Sequence, residues 1–206
     1  MKLSLRLPAI CILFIGTVLT SEASTLLTFD ELPTPEVIPG LNYTYIPDGY
    51  GSLLWNNFGV LDGAIMPANE GYHAGIVSSN NVAFNYYGAP ASISVVGGSF
   101  NLESAYLTLA LNLDTSLDIE VQGFAGTTLL YDNTYTVNRN APTLVNFDYI
   151  GVDAVTFISS PAQPFAMDNL TVTLVPEPDT AALLFIGAAL SALGMLKMRL
   201  SRLAVG

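Results

Sequence analysis

Apolar and polar residues alternate along most of the second half of the chain. Side chains at every second position face the same side of a β-strand, so this period predicts strands that bury one face. Turns rich in Gly, Asn, Asp and Pro separate these segments. The predicted strands are Phe100–Leu113, Ser116–Phe124, Thr127–Tyr131, Thr134–Val137, Leu144–Tyr149, Ala154–Ile158 and Phe165–Leu174. Short strands at this spacing predict a β-sandwich or a β-barrel.

The first half of the chain is less regular. Its predicted elements are a strand at Thr25–Asp30, a turn at Leu32–Pro35, and strands at Asn81–Tyr87 and Ala91–Val95. Residues 36–75 are rich in Gly, Pro, Asn and Tyr, which predicts long loops with short strands. No helical period longer than a turn or two occurs between residues 25 and 175. We therefore expect a single all-β domain over residues 24–174.

The N-terminus has the pattern of a secretory signal peptide. Lys2 and Arg6 form a charged start, and Leu7–Leu19 is an apolar run. Ser21-Glu22-Ala23 then places small residues on either side of Glu22, as at a cleavage site. These features predict that residues 1–23 direct export and are removed.

The C-terminus has three parts in a fixed order. They are the motif Pro176-Glu177-Pro178, the uncharged apolar run Ala181–Leu196, and a basic end with Lys197, Arg199 and Arg202. The run approaches the length that crosses a bilayer, which predicts a transmembrane helix at about residues 180–197. The basic end, residues 197–202, is expected to stay cytoplasmic. The alternative, a buried core helix, would usually show a polar face, and this run shows none.

This tail resembles the PEP-CTERM sorting signal of Gram-negative bacteria. The resemblance rests on Pro176, Glu177 and Pro178, the helix and the basic cluster, within residues 175–206. It implies an exosortase as partner, a membrane-embedded enzyme that would remove the helix near the motif. A eukaryotic GPI signal also has a removable apolar tail, but it normally ends without basic residues. The expected route is an inner-membrane intermediate, followed by the cell surface or the extracellular matrix.

The second half also resembles the jelly-roll sandwiches of exported carbohydrate-binding-like modules. The matching segments are Phe100–Ala105, Leu117–Gly123, Val155–Ser159 and Phe165–Val172. The step Asp168-Asn169 inside the last strand recurs in that group. The resemblance implies an all-β, jelly-roll-like antiparallel β-sandwich, a fold that hosts many functions.

Composition removes several classes of function. Residues 25–175 contain 14 Asp and Glu against one basic residue, Arg139, a formal charge of −13. Such a surface repels phosphate backbones, which argues against nucleic acid as a partner. The same segment has no cysteine, which excludes thiol chemistry and Cys-based zinc sites. Its only histidine is His73.

Two carboxylates suggest a structural calcium ion. Asp30 ends the predicted first strand and Asp168 lies in the last, and these strands often pair in jelly rolls. Calcium takes six to eight oxygen ligands, to which Glu31 or main-chain carbonyls could add. The alternative is that the two polar side chains hold strand ends without a metal.

Aromatic residues are concentrated in the first half, among Asn and Asp. They are Trp55 and Tyr43, Tyr45, Tyr50, Tyr72, Tyr86 and Tyr87. Aromatic faces stack on the CH groups of sugars, and Asn and Asp bond the hydroxyls. We select Tyr50, Trp55, Asn57, Tyr72 and Asn85 as the predicted sugar-binding face. The alternative is that the aromatics fill the core between two sheets.

Catalysis is the weaker hypothesis. His73 lies between glycines in a predicted loop, and no Gly-x-Ser-x-Gly elbow is present. Asp118 and Glu120 share one strand face and could serve a glycosidase, although exposed like charges explain them equally well. The sequence therefore predicts an exported, non-enzymatic protein with a structural or glycan-associated role. A calcium-stabilised carbohydrate-binding module and a secreted hydrolase are the alternatives.

Overall fold

The computed structural model describes residues 23–38 and 41–175, together with the single positions 187 and 191. These residues form thirteen β-strands, one short α-helix, α1 (Gly71–Ala74), and three 3-10 turns at Tyr50–Ser52, Gly63–Ile65 and Tyr86–Gly88. The strands are β1 (Ser24–Leu27), β2 (Glu36–Ile38), β3 (Leu41–Tyr45), β4 (Leu54–Asn56), β5 (Phe58–Asp62), β6 (Asn81–Asn85), β7 (Ala91–Ser94), β8 (Ser99–Leu109), β9 (Ser116–Ala125), β10 (Thr128–Asn138), β11 (Thr143–Val152), β12 (Ala154–Ser160) and β13 (Phe165–Val175).

The strands pair into two antiparallel sheets. The eight-stranded sheet has the order β11-β8-β13-β6-β5-β3-β2, and β1 pairs with β13. The five-stranded sheet has the order β10-β9-β12-β7-β4. The prediction of an all-β antiparallel sandwich is thereby confirmed for the described residues.

The main core lies between the two sheets. Buried and exposed positions alternate along β9, β11 and β12, as the sequence pattern predicts. The inward side chains include Phe58, Phe100, Tyr149, Phe157 and Phe165, all nearly inaccessible to solvent. Burial of such aromatic and aliphatic surface is the dominant favourable contribution to folding.

The chain changes sheets within the loop-rich first half. β4 belongs to the five-stranded sheet and β5 to the eight-stranded sheet, with only Asn57 between them. Asn57 has a φ of 58°, a left-handed conformation that asparagine tolerates better than most residues. This single residue therefore lets two consecutive short strands serve opposite layers.

The first and last strands of the domain lie side by side. Ser24 is paired with Thr173 at one end of the ladder and Leu27 with Leu170 at the other. The Glu103 carboxylate accepts hydrogen bonds from both the Ser24 and the Thr173 hydroxyl groups. The predicted pairing of the first strand with the last is confirmed.

Strand β10 joins two segments that were predicted as separate strands. The segments Thr127–Tyr131 and Thr134–Val137, expected as two strands, form the single strand β10. Asp132 and Asn133, expected as a turn, pair in register with Gln122 and Val121 of β9. The prediction was wrong because β10 is a mostly exposed edge strand, where polar residues cost little.

The predicted targeting segments lie outside the described residues. This applies to the signal peptide, to the motif Pro176-Glu177-Pro178 and to the helix expected at about residues 180–197. Within the part of the chain that is described, no helix has the length and apolar character needed to cross a membrane.

Candidate functional site

A groove lies on the face of the eight-stranded sheet that points away from the main core. Its volume is about 460 Å³, within the range typical of small-ligand sites. We call it the tyrosine groove. It is lined by Tyr43, Leu61, Met66, Tyr72, Phe84, Tyr86, Tyr87, Leu111, Leu113, Ala162, Gln163 and Pro164. Strands β3, β5 and β6, helix α1, residue Met66, and the segments 86–87, 111–113 and 162–164 supply these side chains.

The groove exists because β6 is buried on both faces. All five β6 residues are buried, with Ala83 in the main core and Phe84 on the opposite face. Phe84 belongs to a second apolar cluster that also contains Leu61, Tyr72, Val82, Tyr86, Ala110 and Ala166. A strand with one face to solvent would alternate in polarity. The three consecutive apolar residues of β6, Val82–Phe84, are therefore the sequence signature of this second cluster.

A glycine lets the aromatic rings lie against the sheet. Gly59 of β5 is opposite Phe84 in the antiparallel ladder. A Cβ atom at this position would lie 2.6 Å from the Tyr86 ring and 2.8 Å from the Phe84 ring. Any larger residue would push both rings outward, so Gly59 determines the depth of the groove.

The aromatic rings form a continuous contact network. Tyr86 is its centre, with ring centroids 4.8 Å from Phe84 and 5.8 Å from Tyr43. Phe84 also contacts Tyr72, edge to face, at 5.8 Å. Such tilted and edge-to-face contacts are the preferred aromatic geometries. They hold the ring faces in a defined arrangement before any ligand binds.

Among the described residues, two buried polar atoms of the groove lack a hydrogen-bond partner. The Tyr86 hydroxyl and the Gln163 side-chain oxygen are both buried and have no hydrogen-bond partner among the described residues. The Gln163 amide nitrogen is instead held by Asp114 at 2.6 Å. Buried polar atoms usually have a partner, because leaving one unpaired costs free energy. A hydroxyl donates and accepts, so a ligand rich in hydroxyl groups matches this pair of atoms.

Two groove tyrosines, Tyr72 and Tyr86, stay neutral at physiological pH. Burial, and then the neighbouring Glu70, raise the pKa of Tyr72 above its ordinary value. Burial, and then the neighbouring tyrosines, raise the pKa of Tyr86 in the same direction. Both side chains therefore remain phenols that can donate as well as accept hydrogen bonds.

Two asparagines hold the rim of the groove. The rim segment, residues 86–90, carries Tyr86 and Tyr87. The Asn57 amide donates to three of its main-chain carbonyls, with N···O distances of 3.1–3.3 Å. The buried Asn85 donates to the Ala89 carbonyl and accepts from the Phe165 amide. Both asparagines therefore position groove tyrosines through the backbone.

The five residues selected from the sequence do not form one sugar-binding face. Tyr72 lines the groove, whereas Asn57 and Asn85 support its rim. Trp55 is buried in the main core, and its indole N–H donates to the Tyr50 carbonyl. The Tyr50 hydroxyl accepts a hydrogen bond from the Phe29 amide. Trp55 and Tyr50 pack in or against the main core, as the alternative interpretation of the aromatic residues predicts.

Several groove-lining residues were not among the five predicted sugar-binding residues, although the sequence around some of them was informative. Phe84, Tyr86 and Tyr87 lie at the end of the predicted strand Asn81–Tyr87, directly before Gly88. Tyr43 sits on β3, in a segment expected to be mostly loop. Strand β3 pairs with β5, and β5 pairs with β6, which places Tyr43 beside these residues. Such long-range register cannot be derived from a local sequence pattern.

Asp30 and Asp168, the predicted calcium ligands, hold the same segment of chain. Asp30 accepts from the Asn80 and Asn81 amides, both at 3.1 Å. Asp168 accepts from the Val77 and Ser78 amides, at 2.7 and 2.9 Å. Its other oxygen accepts from the Ser78 hydroxyl and the Asn169 amide. Burial raises the pKa of Asp168, although these hydrogen bonds oppose the shift.

Calcium at these residues stays a prediction. Both Asp168 oxygens already accept N–H or O–H donors, which a bound cation would have to displace. Among the described residues, no group of three or more His, Cys, Asp and Glu side chains could hold a metal ion. The contacts therefore give the two carboxylates a structural role that needs no metal.

The candidate catalytic residues do not line the groove. Asp118 and Glu120 lie on β9 of the five-stranded sheet. Asp118 accepts from the Thr136 hydroxyl, and Glu120 accepts from the Gln122 amide. His73 lies on α1, and its Nδ1 is 3.2 Å from the Gly63 carbonyl oxygen.

Comparison with known proteins gives only distant similarity. No protein-family model and no curated protein matches the chain. Among solved structures it is similar to the tandem CBM22 domain of Xyn10C from Paenibacillus barcinonensis. Identity is 14%, the TM-score is 0.43, and the match covers 80% of this chain and 50% of that one. This chain therefore spans only half of that solved chain.

Two structures of single modules match this chain with similarly low sequence identity and TM-score. The CBM22-1 xylan-binding domain of the same Xyn10C is 15% identical, with a TM-score of 0.36 and coverage of 77% and 100%. The family 32 carbohydrate-binding module of NanJ from Clostridium perfringens, solved with galactose, is 14% identical. Its TM-score is 0.34, with coverage of 63% of this chain and 98% of that one.

Proposed function

We propose that this protein is an exported, non-enzymatic carbohydrate-binding protein whose ligand site is the tyrosine groove. The observation that carries the proposal is the composition of the groove. Five aromatic rings, from Tyr43, Tyr72, Phe84, Tyr86 and Tyr87, line it, with unpaired polar atoms on two lining residues. Aromatic rings pack against the CH faces of sugars, and the polar atoms take the hydroxyl groups.

Other occupants fit the groove less well. An aliphatic molecule would leave the Tyr86 hydroxyl and the Gln163 oxygen unpaired, which costs affinity. A phosphorylated or carboxylated molecule would meet no basic side chain among the groove-lining residues. A sugar supplies both the apolar faces and the hydroxyl groups that this lining demands.

The first test compares two tyrosine-to-phenylalanine changes. Tyr86→Phe removes a hydroxyl without a protein partner, so stability should change by less than about 0.5 kcal/mol. Binding of a sugar found on a glycan array should weaken about 5–10-fold, the equivalent of one hydrogen bond. Isothermal titration and thermal melts measure the two effects.

Tyr149→Phe is the matched control. The Tyr149 hydroxyl donates to the Val121 carbonyl and accepts from the Asn133 amide, within the main core. Its loss should cost about 2 kcal/mol of stability and leave sugar affinity unchanged. If no glycan on the array bound the protein, the proposed function would be contradicted. Equal affinity in Tyr86→Phe and the unmodified protein would contradict the role of the groove hydroxyl.

The route to the cell surface is part of the same proposal. The signal peptide at residues 1–23 starts export, and an exosortase processes the chain near Pro176-Glu177-Pro178. The delivered domain then acts at the cell surface or in the extracellular polysaccharide matrix. These statements rest on the sequence pattern of the two ends.

Processing can be measured on the exported product. Mass spectrometry should find an N-terminus at Ser24 and a C-terminus near Pro178, because both terminal segments are removed. Glu177→Ala, which alters only the motif, should leave the N-terminal cleavage intact. An exported product that still carries residues 181–196 would refute removal of the C-terminal segment.

A further inference from the structure

The tyrosine groove continues onto exposed aromatic surface. Tyr45 is 63% exposed and Tyr87 is 91% exposed, which is unusual for side chains that contact other rings. Their ring centroids lie 4.3 and 6.2 Å from that of the buried Tyr86. Tyr45 does not line the groove itself. We call Tyr45, Tyr86 and Tyr87 the aromatic platform.

The platform is held in place before binding. The Asn57 and Asn85 side chains hold the rim segment that carries Tyr86 and Tyr87. Tyr87 has a φ of 55°, a conformation that tyrosine adopts only where the surrounding structure imposes it. Tyr45 is on strand β3, which pairs with β5. An exposed aromatic surface on such a fixed frame indicates a contact surface for a ligand.

The surroundings of the site carry negative charge. None of the groove-lining residues is charged at neutral pH. Glu70 is close enough to Tyr72 to contribute to its raised pKa, and Asp114 holds Gln163. The only basic residue between positions 25 and 175, Arg139, donates to the Asp114 main-chain carbonyl. The formal charge of −13 over that range adds a repulsive field for any anionic polymer.

We propose that the groove and the aromatic platform form one site for an uncharged glycan chain of several sugar units. This inference rests on the proposed function and specifies its ligand. A single sugar in the groove leaves Tyr45 and the outer face of Tyr87 without a contact. A longer chain covers both rings, and its lack of charge avoids the acidic surroundings.

The first arm of the test is chain length. The full chain, in a detergent without a sugar headgroup, is titrated with cello-, xylo- and galacto-oligosaccharides of one to six units. Affinity for the chains that bind should rise at least about tenfold between one unit and four, as added rings contact the platform. Equal affinity at all lengths would overturn the proposal but not the proposed function. No binding in any series would overturn both.

Variants of the platform separate it from the groove. Tyr87→Ala and Tyr45→Ala remove exposed rings, so neither should prevent folding. Tyr45→Ala should weaken binding of the longest oligosaccharide about fivefold and leave the shortest bound ligand unchanged, whereas Tyr87→Ala, which also removes a groove-lining ring, should weaken binding of both. Val96→Ala, at an apolar side chain that is 83% exposed and outside the site, is the control. An equal loss at every length in Tyr45→Ala would assign Tyr45 to the groove and overturn the platform.

The second arm is charge. Affinity gel electrophoresis compares hydroxyethyl cellulose, arabinoxylan and galactan, each beside its carboxymethylated form. For a polymer whose sugar backbone the protein binds, we expect the neutral form to retard the protein in the gel. The carboxymethylated form of the same polymer should retard it far less. Equal or stronger retardation by the charged form would overturn the selection for uncharged chains.

Discussion

Replacing Asp168 with alanine is expected to lower the free energy of unfolding by about 3–5 kcal/mol. Asp168 is fully buried, and its two oxygens accept hydrogen bonds from Val77, Ser78 and Asn169. Alanine leaves these partly buried donors without an acceptor, and each unpaired donor carries a desolvation cost. Thermal melts should show a decrease in Tm of about 8–16 °C.

A carboxylate on the surface provides the control for Asp168. Asp118 is exposed and accepts one hydrogen bond, from the Thr136 hydroxyl. Asp118→Ala should cost less than about 1 kcal/mol, since water can replace the lost partner. If Asp168→Ala were as stable as Asp118→Ala, the segment from Val77 to Asn81 would not depend on the buried carboxylate.

Gly71→Ala is expected to lower stability by about 3 kcal/mol and to abolish binding in the tyrosine groove. A Cβ atom at Gly71 would lie 1.7 Å from the Leu109 carbonyl oxygen. Both atoms belong to the backbone frame, so no side-chain rotation can relieve the overlap. Helix α1 must then move away from β8 and displace Tyr72, which lines the groove.

Gly126→Ala separates this steric overlap from the general effect of adding a methyl group. Gly126 has open space around its Cβ position and a φ of +58°. Alanine there meets no atom and costs about 1 kcal/mol through its left-handed backbone conformation. Melts of both variants and titration with a bound glycan provide the comparison. Unchanged glycan affinity in Gly71→Ala would show that α1 does not shape the groove.

The strands were predictable where one face is buried. In β9 and β12 the sandwich buries every second residue, so the local alternation contains the required information. In β10 most residues are exposed on both faces, and Asp132 and Asn133 therefore resembled a turn. Pairing with β9 carries the strand through them, which only the tertiary structure decides.

The groove was less predictable than the fold. Trp55 and Tyr72 are equally plausible sugar-stacking residues in a one-dimensional pattern, yet Trp55 packs in the main core. Which side of a sheet an aromatic residue faces depends on register, and a one-residue change of register reverses it. Asn57 and Asn85 were selected as sugar-binding residues, and in the structure their side chains bond the backbone of the rim segment.

The pairing of Ser24 with Thr173 brings the two ends of the domain to one corner of the molecule. A tether attached at either end would therefore hold the domain by nearly the same point. The orientation of the groove relative to the attachment surface would then be almost independent of which end is anchored. For the same reason, a circularly permuted chain that joins these two positions through a short linker should retain the sandwich.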